Sequence, residues 1–311
     1  SSGMAAITSS ILAIVESGDH VIASKVLYGG VYDFLAHELS RFGVAVTFVD
    51  FLTEDFEQYI RPTTRLLYTE MISNPLIEVQ DIPKLSKIAH RHGLKLYVDN
   101  TFASPVVVRP LSLGADVVLY SATKYLGGHN DITAGAVVSD VAVISKIKRV
   151  QMLYGAILGP SDCWLLARSL RTLDLRVRKH AKNALDVAEF LETHPLVERV
   201  YYPGLPSSSS YERALQQFEN RLFGGMLSVD LTGGAAAATA LIEALRMIIF
   251  APSLAGTATT VSYAIKTSHR YYTQDDLDAL GITPGQVRFS IGLEESEDIL
   301  QDLERALAQI S

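Results

Sequence analysis

The segment KLYVDNTFASPVVVRPLSLGADVVLYSATK, residues 95–124, contains two short apolar runs that are each followed by polar residues. Asp99 comes directly after the run 95–98, and Lys124 comes three residues after the run 117–121. Runs this short and this continuously apolar predict strands that are buried on both faces of a parallel sheet. Because ligands of such sheets bind at the carboxyl ends of the strands, we expect Asp99 and Lys124 to lie at a ligand-binding edge.

The same pattern extends over residues 18–140. Further apolar runs predict strands at 20–24, 44–49, 65–71 and 134–139, and segments of helical periodicity such as 82–92 lie between the runs. This alternation predicts an α/β fold whose mostly parallel sheet is covered by helices on both faces.

The pattern changes after Pro160. A long helical stretch, 161–192, precedes strand candidates at 197–202, 226–231 and 287–291. We therefore expect a large domain over residues 1–160 and a smaller C-terminal α/β domain over 161–311, which begins with a long linking helix. The apolar stretch 5–15 is too short to span a bilayer and predicts an amphipathic helix.

Composition and charge restrict the partners. The chain has 311 residues, 48% of them hydrophobic, and a net charge of -7. Its basic residues are scattered, so we predict neither a nucleic-acid partner nor binding to an anionic membrane. The single cysteine, Cys163, excludes an internal disulfide and fits a reducing compartment, so we expect a cytoplasmic protein. His90 and His92 are two apart on a predicted helix and face different directions, so no metal site is predicted.

Lys124 and Asp99 suggest a specific chemistry. A lysine just past the end of a buried strand can be partly desolvated, which favours the neutral amine that attacks an aldehyde. Ser121 and Thr123 offer hydroxyl groups to a phosphate nearby. A carboxylate such as Asp99 is costly to bury unless a cation is supplied, and a protonated pyridine nitrogen is such a cation. The alternatives are a solvated lysine in a polar turn and an aspartate that caps a turn.

Two further segments extend this prediction. Gly3 and Met4 open the first helix, where backbone N–H groups and the helix dipole favour a phosphate. Tyr28 lies in a turn after the first strand, where its ring can either cover a cofactor or pack ordinarily.

Taken together, these segments resemble the Cys/Met-metabolism family of pyridoxal-phosphate enzymes, which includes cystathionine γ-synthase, cystathionine γ-lyase and methionine γ-lyase. The resemblance rests on Ser2-Gly3-Met4, Leu27-Tyr28-Gly29-Gly30, Asn74-Pro75, Val98-Asp99-Asn100-Thr101, Ser121-Ala122-Thr123-Lys124-Tyr125-Leu126-Gly127-Gly128-His129 and Val200-Tyr201-Tyr202-Pro203-Gly204-Leu205. It covers essentially the whole chain. It implies fold type I of these enzymes, which is aspartate-aminotransferase-like, with residues 1–160 as the cofactor-binding domain.

The resemblance also implies roles for individual residues. Lys124 would bind the cofactor covalently, Asp99 would pair with its pyridine nitrogen, and Tyr28 would stack on the ring and transfer protons. The remaining implied contacts are Gly3, Met4, Ser121 and Thr123 at the phosphate, Asn74 near the phenolic oxygen, and Ser253 and Arg288 at the substrate carboxylate. The turn Ser253-Leu254-Ala255-Gly256 departs from the family pattern at Ala255, where glycine is usual.

The implied reaction is γ-elimination on cystathionine or methionine, which gives a thiol, ammonia and a 2-oxo acid. Alternatives are γ-replacement, as in cystathionine γ-synthase or O-acetylhomoserine sulfhydrylase, and β-elimination of cystathionine. The family implies a homotetramer built as a dimer of dimers. Its members also have an N-terminal arm with a Tyr-x-Arg motif; no such segment occurs in the sequence from Ser1, so either the arm lies outside these residues or the chain is a shortened form.

Two other classes compete with this interpretation. The spacing Ser121-x-x-Lys124 also occurs in serine β-lactamases, but the Ser-Asp-Asn and Lys-Thr-Gly motifs that such enzymes need are absent from the sequence. A non-catalytic binding protein that retains the fold is the second alternative, and the presence of both Lys124 and Asp99 argues against it.

Overall fold

The computed structural model describes residues 1–266, 277 and 281–310. The chain divides into two compact units. The first contains Ser1–Ser73 and Gln80–Arg171, and the second contains Asn74–Val79 and Thr172–Ser311. A domain boundary between residues 160 and 161 stays a prediction.

The first unit is built on a six-stranded sheet with the order β2-β1-β3-β4-β5-β6. Its strands are β1 His20–Ser24, β2 Ala45–Val49, β3 Thr64–Glu70, β4 Lys95–Asp99, β5 Val117–Ser121 and β6 Gly135–Ser139. Neighbouring strands are parallel except for β6, which runs antiparallel to β5. The mostly parallel α/β sheet expected from the sequence is thereby confirmed.

The first unit contains six α-helices among its described residues. They are α1 Gly3–Leu12, α2 Gly29–Asp33, α3 Ile82–Arg91, α4 Ser104–Val107, α5 Val141–Tyr154 and α6 Pro160–Leu170. Of these, α1, α3 and α5 contact strands of this sheet. Helix α1 starts at an N-cap, Ser2, whose side chain accepts a hydrogen bond from the amide of Ala5. Ile7 and Ile11 of α1 are buried in one cluster with Tyr68 and Tyr97 of the sheet. This packing fixes α1 on one face of the sheet.

The second unit has its own sheet, whose strand order among the described residues is β7-β8-β11-β10-β9. Its strands are β7 Val197–Tyr201, β8 Met226–Leu231, β9 Ile249–Phe250, β10 Thr260–Ser262 and β11 Gln286–Ser290. Only the pair β9–β10 is parallel among these described strands. Within the part of this unit that the structure describes, the α-helices are α7 Leu173–Glu192, α8 Tyr211–Gln217, α9 Gly234–Ala244 and α10 Ser296–Leu307.

The stretch 161–192 differs from the single long helix expected from its periodicity. Helix α6 ends at Leu170 and α7 begins at Leu173. Thr172 between them has φ -111° and ψ 7°, which are not helical. The periodicity of apolar residues continues through both helices, so it does not reveal the non-helical residue between them. Within the described residues, no helix is long and apolar enough to cross a membrane.

Candidate active site

Three parallel strands of the first unit end in polar residues at the same edge of the sheet. These residues are Glu70 of β3, Asp99 of β4 and Ser121 of β5. Glu70 is the register partner of Asp99, and Asp99 is the register partner of Leu119 in β5. Because side chains alternate along a strand, Glu70, Asp99 and Ser121 all point to the face that carries α1.

The N-terminus of α1 approaches this edge closely. A Cβ atom on Gly3 would lie 2.7 Å from Cβ of Ser121 and 2.8 Å from its Oγ, so no larger residue fits at position 3 without displacement. The Ser2 side chain accepts a hydrogen bond from the amide of Ala5. The helix itself provides no acceptor for the amides of Gly3 and Met4. With the Ser121 hydroxyl beside them, these amides form a cradle for an anion.

Asp99 is a buried carboxyl group, with 8% of its surface exposed. Its Oδ1 accepts a hydrogen bond from the amide of Thr101 at 2.9 Å. Burial raises the pKa of Asp99 to about 6, and the hydrogen bonds from Thr101 oppose that rise. The Thr101 hydroxyl in turn accepts the amide of Ser121 at 2.8 Å. A cation placed beside Asp99 would therefore be stabilised by this buried carboxylate.

Lys124 is half-buried in the turns that follow β5. Its amide donates to the carbonyl of Ser121 at 3.0 Å, and its carbonyl accepts the amide of Gly128 at 2.6 Å. The turn thus fixes the backbone of Lys124 next to the end of the strand. Thr123 differs from the expectation in one respect: its Oγ1 donates to the carbonyl of Ala134 at 3.2 Å, so its single proton is engaged there.

Tyr28 lies at the start of α2 with its side chain 49% exposed. Its amide donates to Oε1 of Glu70 at 2.7 Å. Its ring lies over Gly30, where an added Cβ would be 2.9 Å from Cε1 of Tyr28 and 3.5 Å from Sδ of Met4. The first unit therefore brings Tyr28, Met4 and the edge that carries Asp99 together.

The second unit brings together two of the expected site residues. Nη1 of Arg288 donates to Oδ1 of Asn74 at 2.7 Å, and both residues are buried. Nη2 of Arg288 donates to the carbonyl of Pro252 at 3.4 Å, next to Ser253. Ala255 adopts a left-handed conformation with φ 62°, and its amide donates to Oγ of Ser290 at 2.7 Å.

Sequence reasoning missed three contributors to this arrangement. Glu70 ends a buried strand, which is the same signal that identified Asp99. Thr101 follows Asp99 by two residues, as expected for an aspartate that closes a turn. Ser228, which donates to the carbonyl of Pro75 at 2.7 Å, has no local signal, because its partner is 153 residues away. Among the residues that the structure describes, no cluster of His, Cys, Asp and Glu could hold a metal ion.

Comparison with known proteins identifies the family. The family model for Cys/Met metabolism PLP-dependent enzymes matches residues 1–308. The chain belongs to this family. Membership confirms the expectation of a pyridoxal-phosphate enzyme.

Individual relatives match over nearly the whole chain. An L-methionine gamma-lyase from Porphyromonas gingivalis is 45% identical over 311 residues, which cover 99% of this chain and 77% of the relative. A cystathionine gamma-lyase from Bacillus subtilis is 41% identical over 312 residues, covering 100% of this chain and 81% of the relative. A crystal structure of cystathionine gamma-lyase from Lactobacillus plantarum complexed with L-serine matches with a TM-score of 0.94 and 37% identity, covering 100% of this chain and 81% of that chain.

The first unit fits the family's cofactor on its own geometry. Pyridoxal phosphate carries a phosphate and a pyridine nitrogen that can be protonated. The cradle at Gly3, Met4 and Ser121 has the hydrogen-bond donors that a phosphate needs. The buried carboxyl of Asp99 is suited to a pyridinium.

Proposed function

We propose that this protein catalyses pyridoxal-phosphate-dependent γ-elimination on a sulfur-containing amino acid, with cystathionine or methionine as substrate. The observation that carries the proposal is made at the carboxyl ends of β4 and β5 in the first sheet. The Gly3–Ser121 cradle, the buried Asp99 and the turn that contains Lys124 all lie there. Relatives named as methionine and cystathionine γ-lyases support the choice of reaction.

Residues of the first unit are proposed to bind different parts of the cofactor. When bound, pyridoxal phosphate supplies an aldehyde for the substrate amine and a ring that stabilises negative charge at carbon. The amides of Gly3 and Met4 and the Ser121 hydroxyl bind the phosphate, and Thr123 joins them by rotating its hydroxyl away from Ala134. Asp99 keeps the pyridine nitrogen protonated, which maintains the electron-withdrawing character of the ring.

Proton transfer falls to two residues. Nζ of Lys124 would hold the cofactor, and once substrate is bound it would remove the proton from the α carbon of the substrate and carry protons to and from the β carbon. The hydroxyl of Tyr28 donates a proton to the departing sulfur while its ring covers the cofactor. One water is consumed overall, and the products are a thiol, ammonia and a 2-oxo acid.

Residues of the second unit bind the substrate. The planar guanidinium of Arg288 can hold the α-carboxylate through two parallel hydrogen bonds. Ser253 assists at the same carboxylate. The amide group of Asn74, whose oxygen accepts from Arg288, is proposed to donate to the phenolic oxygen of the cofactor.

We further propose a cytoplasmic homotetramer built as a dimer of dimers. In the first unit, the end of α5, the following loop and α6 expose several large apolar side chains, namely Met152, Leu153, Tyr154, Ile157 and Trp164. Trp164 alone is 64% exposed. Such a concentration of apolar surface favours burial against a second copy. Light scattering tests the mass, and Trp164→Glu is expected to reduce it.

The reaction is tested with purified protein and pyridoxal phosphate. Absorbance between 300 and 500 nm reports the bound cofactor, and L-cystathionine, L-methionine and O-acetyl-L-homoserine are supplied with and without L-cysteine. Release of 2-oxo acid and ammonia without added thiol supports γ-elimination, and pyruvate from cystathionine indicates β-elimination instead. Thioether formed only with added thiol would make the enzyme a γ-replacement catalyst. A protein that does not bind pyridoxal phosphate would favour the alternative of a non-catalytic binding protein that retains the fold.

A further inference from the structure

Glu70 is a buried carboxylate whose contact reaches across the sheet. It ends β3, and its Oε1 accepts the backbone amide of Tyr28, 42 residues earlier in the chain, at 2.7 Å. Tyr28 follows β1, the neighbour of β3 in the sheet. A charged acceptor makes this hydrogen bond about twice as strong as one between neutral groups. The contact therefore ties the turn that carries Tyr28 to the carboxyl edge of β3.

The same carboxylate lies next to Asp99. The two residues are register partners on parallel strands, and their side chains share one face. Both also act on the buried hydroxyl of Tyr68: burial raises the pKa of Tyr68, and the charges of Asp99 and Glu70 raise it further. Glu70 thus connects the turn of Tyr28 with the place where Asp99 would meet the cofactor ring.

The ring of Tyr28 has a second constraint. Gly30 leaves the space into which the ring folds, since a Cβ there would lie 2.9 Å from Cε1. Met4 borders the same space. The Tyr28 side chain is about half exposed. Its backbone is held by the hydrogen bond to Glu70, and its ring is held by the contact with Gly30.

We propose that Glu70 is a positioning residue, which holds Tyr28 over the cofactor by binding its backbone amide. The inference rests on the proposed function, because that function gives the Tyr28 ring its place on the cofactor. Glu70 itself touches neither substrate nor cofactor in this proposal. Its effect reaches the reaction through Tyr28.

Two substitutions of similar size separate the hydrogen bond from the charge. Glu70→Gln keeps an oxygen acceptor, whereas Glu70→Met fills the same space without one. We expect Glu70→Met to speed hydrogen exchange at the Tyr28 amide and to lower kcat, each by about tenfold, the loss of one buried hydrogen bond. Glu70→Gln is expected to stay within about threefold of the wild type in both measurements. Exchange is followed in the holoenzyme by mass spectrometry of peptides that contain Tyr28.

Asp116 provides the matched control. Its partly buried carboxylate accepts the amide of Leu96 at 2.9 Å at the opposite edge of the same sheet. Asp116→Ala is expected to lower stability while leaving exchange at Tyr28 and kcat unchanged. In a Tyr28→Ala background, Glu70→Met is expected to cost less than about threefold in kcat, because its effect passes through Tyr28.

Distinct outcomes overturn the two proposals. Equal losses in Glu70→Gln and Glu70→Met, unchanged exchange at Tyr28 in Glu70→Met, or additive effects with Tyr28→Ala would each reject Glu70 as the positioning residue while wild-type turnover stands. A wild-type protein that takes up no pyridoxal phosphate would reject the proposed function, and this inference with it.

Discussion

Gly3 in α1 and Ser121 at the end of β5 are in direct contact, so close that a Cβ atom on residue 3 would lie 2.7 Å from Cβ of Ser121. The start of the helix and the end of the strand therefore form one surface. Because the backbone amides of the first helical turn face this surface, its shape depends on the absence of a side chain at position 3.

Replacing Gly3 by alanine is expected to weaken cofactor binding. The added methyl group must push α1 away from Ser121, and this displaces the amides that would bind the phosphate. We expect the dissociation constant of pyridoxal phosphate to rise at least about tenfold, as for the loss of one charge-assisted hydrogen bond. Absorbance titration of the apoenzyme measures it. Gly159→Ala is the control, since a Cβ there meets nothing closer than 3.6 Å; equal affinity in the two variants would contradict the cradle.

Replacing Asp99 by asparagine is expected to separate activity from stability. We expect kcat to fall about a hundredfold or more, since the pyridine nitrogen loses its negative partner. In the apoenzyme, by contrast, the same substitution is expected to raise the unfolding free energy relative to the wild type as pH increases. Burial raises the pKa of Asp99 from 3.8 to about 6, so the folded state disfavours the carboxylate. The stability that the protonated form contributes is present below pH 4 and is lost as pH rises through 6.

The measurement is urea unfolding of both apoproteins at pH 5 and pH 8. From the direction of this pKa shift, the wild type should lose on the order of 1 kcal/mol relative to Asp99→Asn over this interval. A difference in unfolding free energy that does not change with pH would show that the Asp99 carboxyl is not buried in this way.

His20 is expected to make the first unit sensitive to acid. It is fully buried in β1, with its ring nitrogens 2.8 Å from the hydroxyl of Thr64 and 2.9 Å from that of Thr47. Burial, with a smaller contribution from the charge of Arg61, lowers the pKa of His20 from 6.5 to about 4. The folded state therefore favours the neutral ring, and its contribution to stability is lost as pH falls from above 6.5 towards 4.

Comparison of the wild type with His20→Gln tests this effect. Between pH 7.5 and pH 5 the wild type should lose about 2 kcal/mol more unfolding free energy than the variant. Denaturant titrations at both pH values measure the unfolding free energies, and His37→Gln serves as the control, because His37 is an exposed residue of the π-helical segment Phe34–Glu38 that follows α2. Parallel losses in wild type and His20→Gln would contradict a buried neutral imidazole.

Replacing Ala255 by glycine is expected to stabilise the protein. Its φ of 62° places an L-residue in the left-handed region, and its buried backbone is held there by the bond to Ser290. Relief of this strain should raise the unfolding free energy by up to about 1 kcal/mol, although the greater freedom of glycine in the unfolded chain offsets part of the gain. Thermal unfolding of Ala255→Gly measures it. Ala258→Gly in the same segment has no positive φ to relieve and is expected to lose stability.

Buried strands could be located well from the sequence. The bounds of β1, β5 and β8 agree with the predicted runs, because both faces of these strands are covered and every position is apolar or paired. Strands β9 and β10 were missed. They contain two and three residues, which is too short for an apolar run or an alternation to be recognised.

For the candidate site, the sequence identified residues that end strands and missed the contacts between them. Lys124 and Asp99 stood out because each is a charged residue within three positions of the end of a predicted buried strand, where burial of a charge is costly unless it has a partner. The bond from Tyr28 to Glu70 had no such signal, since neither residue is near the other in the chain.

The sequence by itself determined the α/β class, the strands of the first sheet, the family and the candidate residues. Buried strands and local motifs can be recognised from residues that are close together in the chain. Only the tertiary structure decided that α1 meets β5 at Gly3 and Ser121, that Glu70 binds the amide of Tyr28, and that Arg288 binds Asn74. These contacts depend on strand order and register, which arise from packing of the whole unit. Segments far apart in the chain become neighbours only when that packing forms.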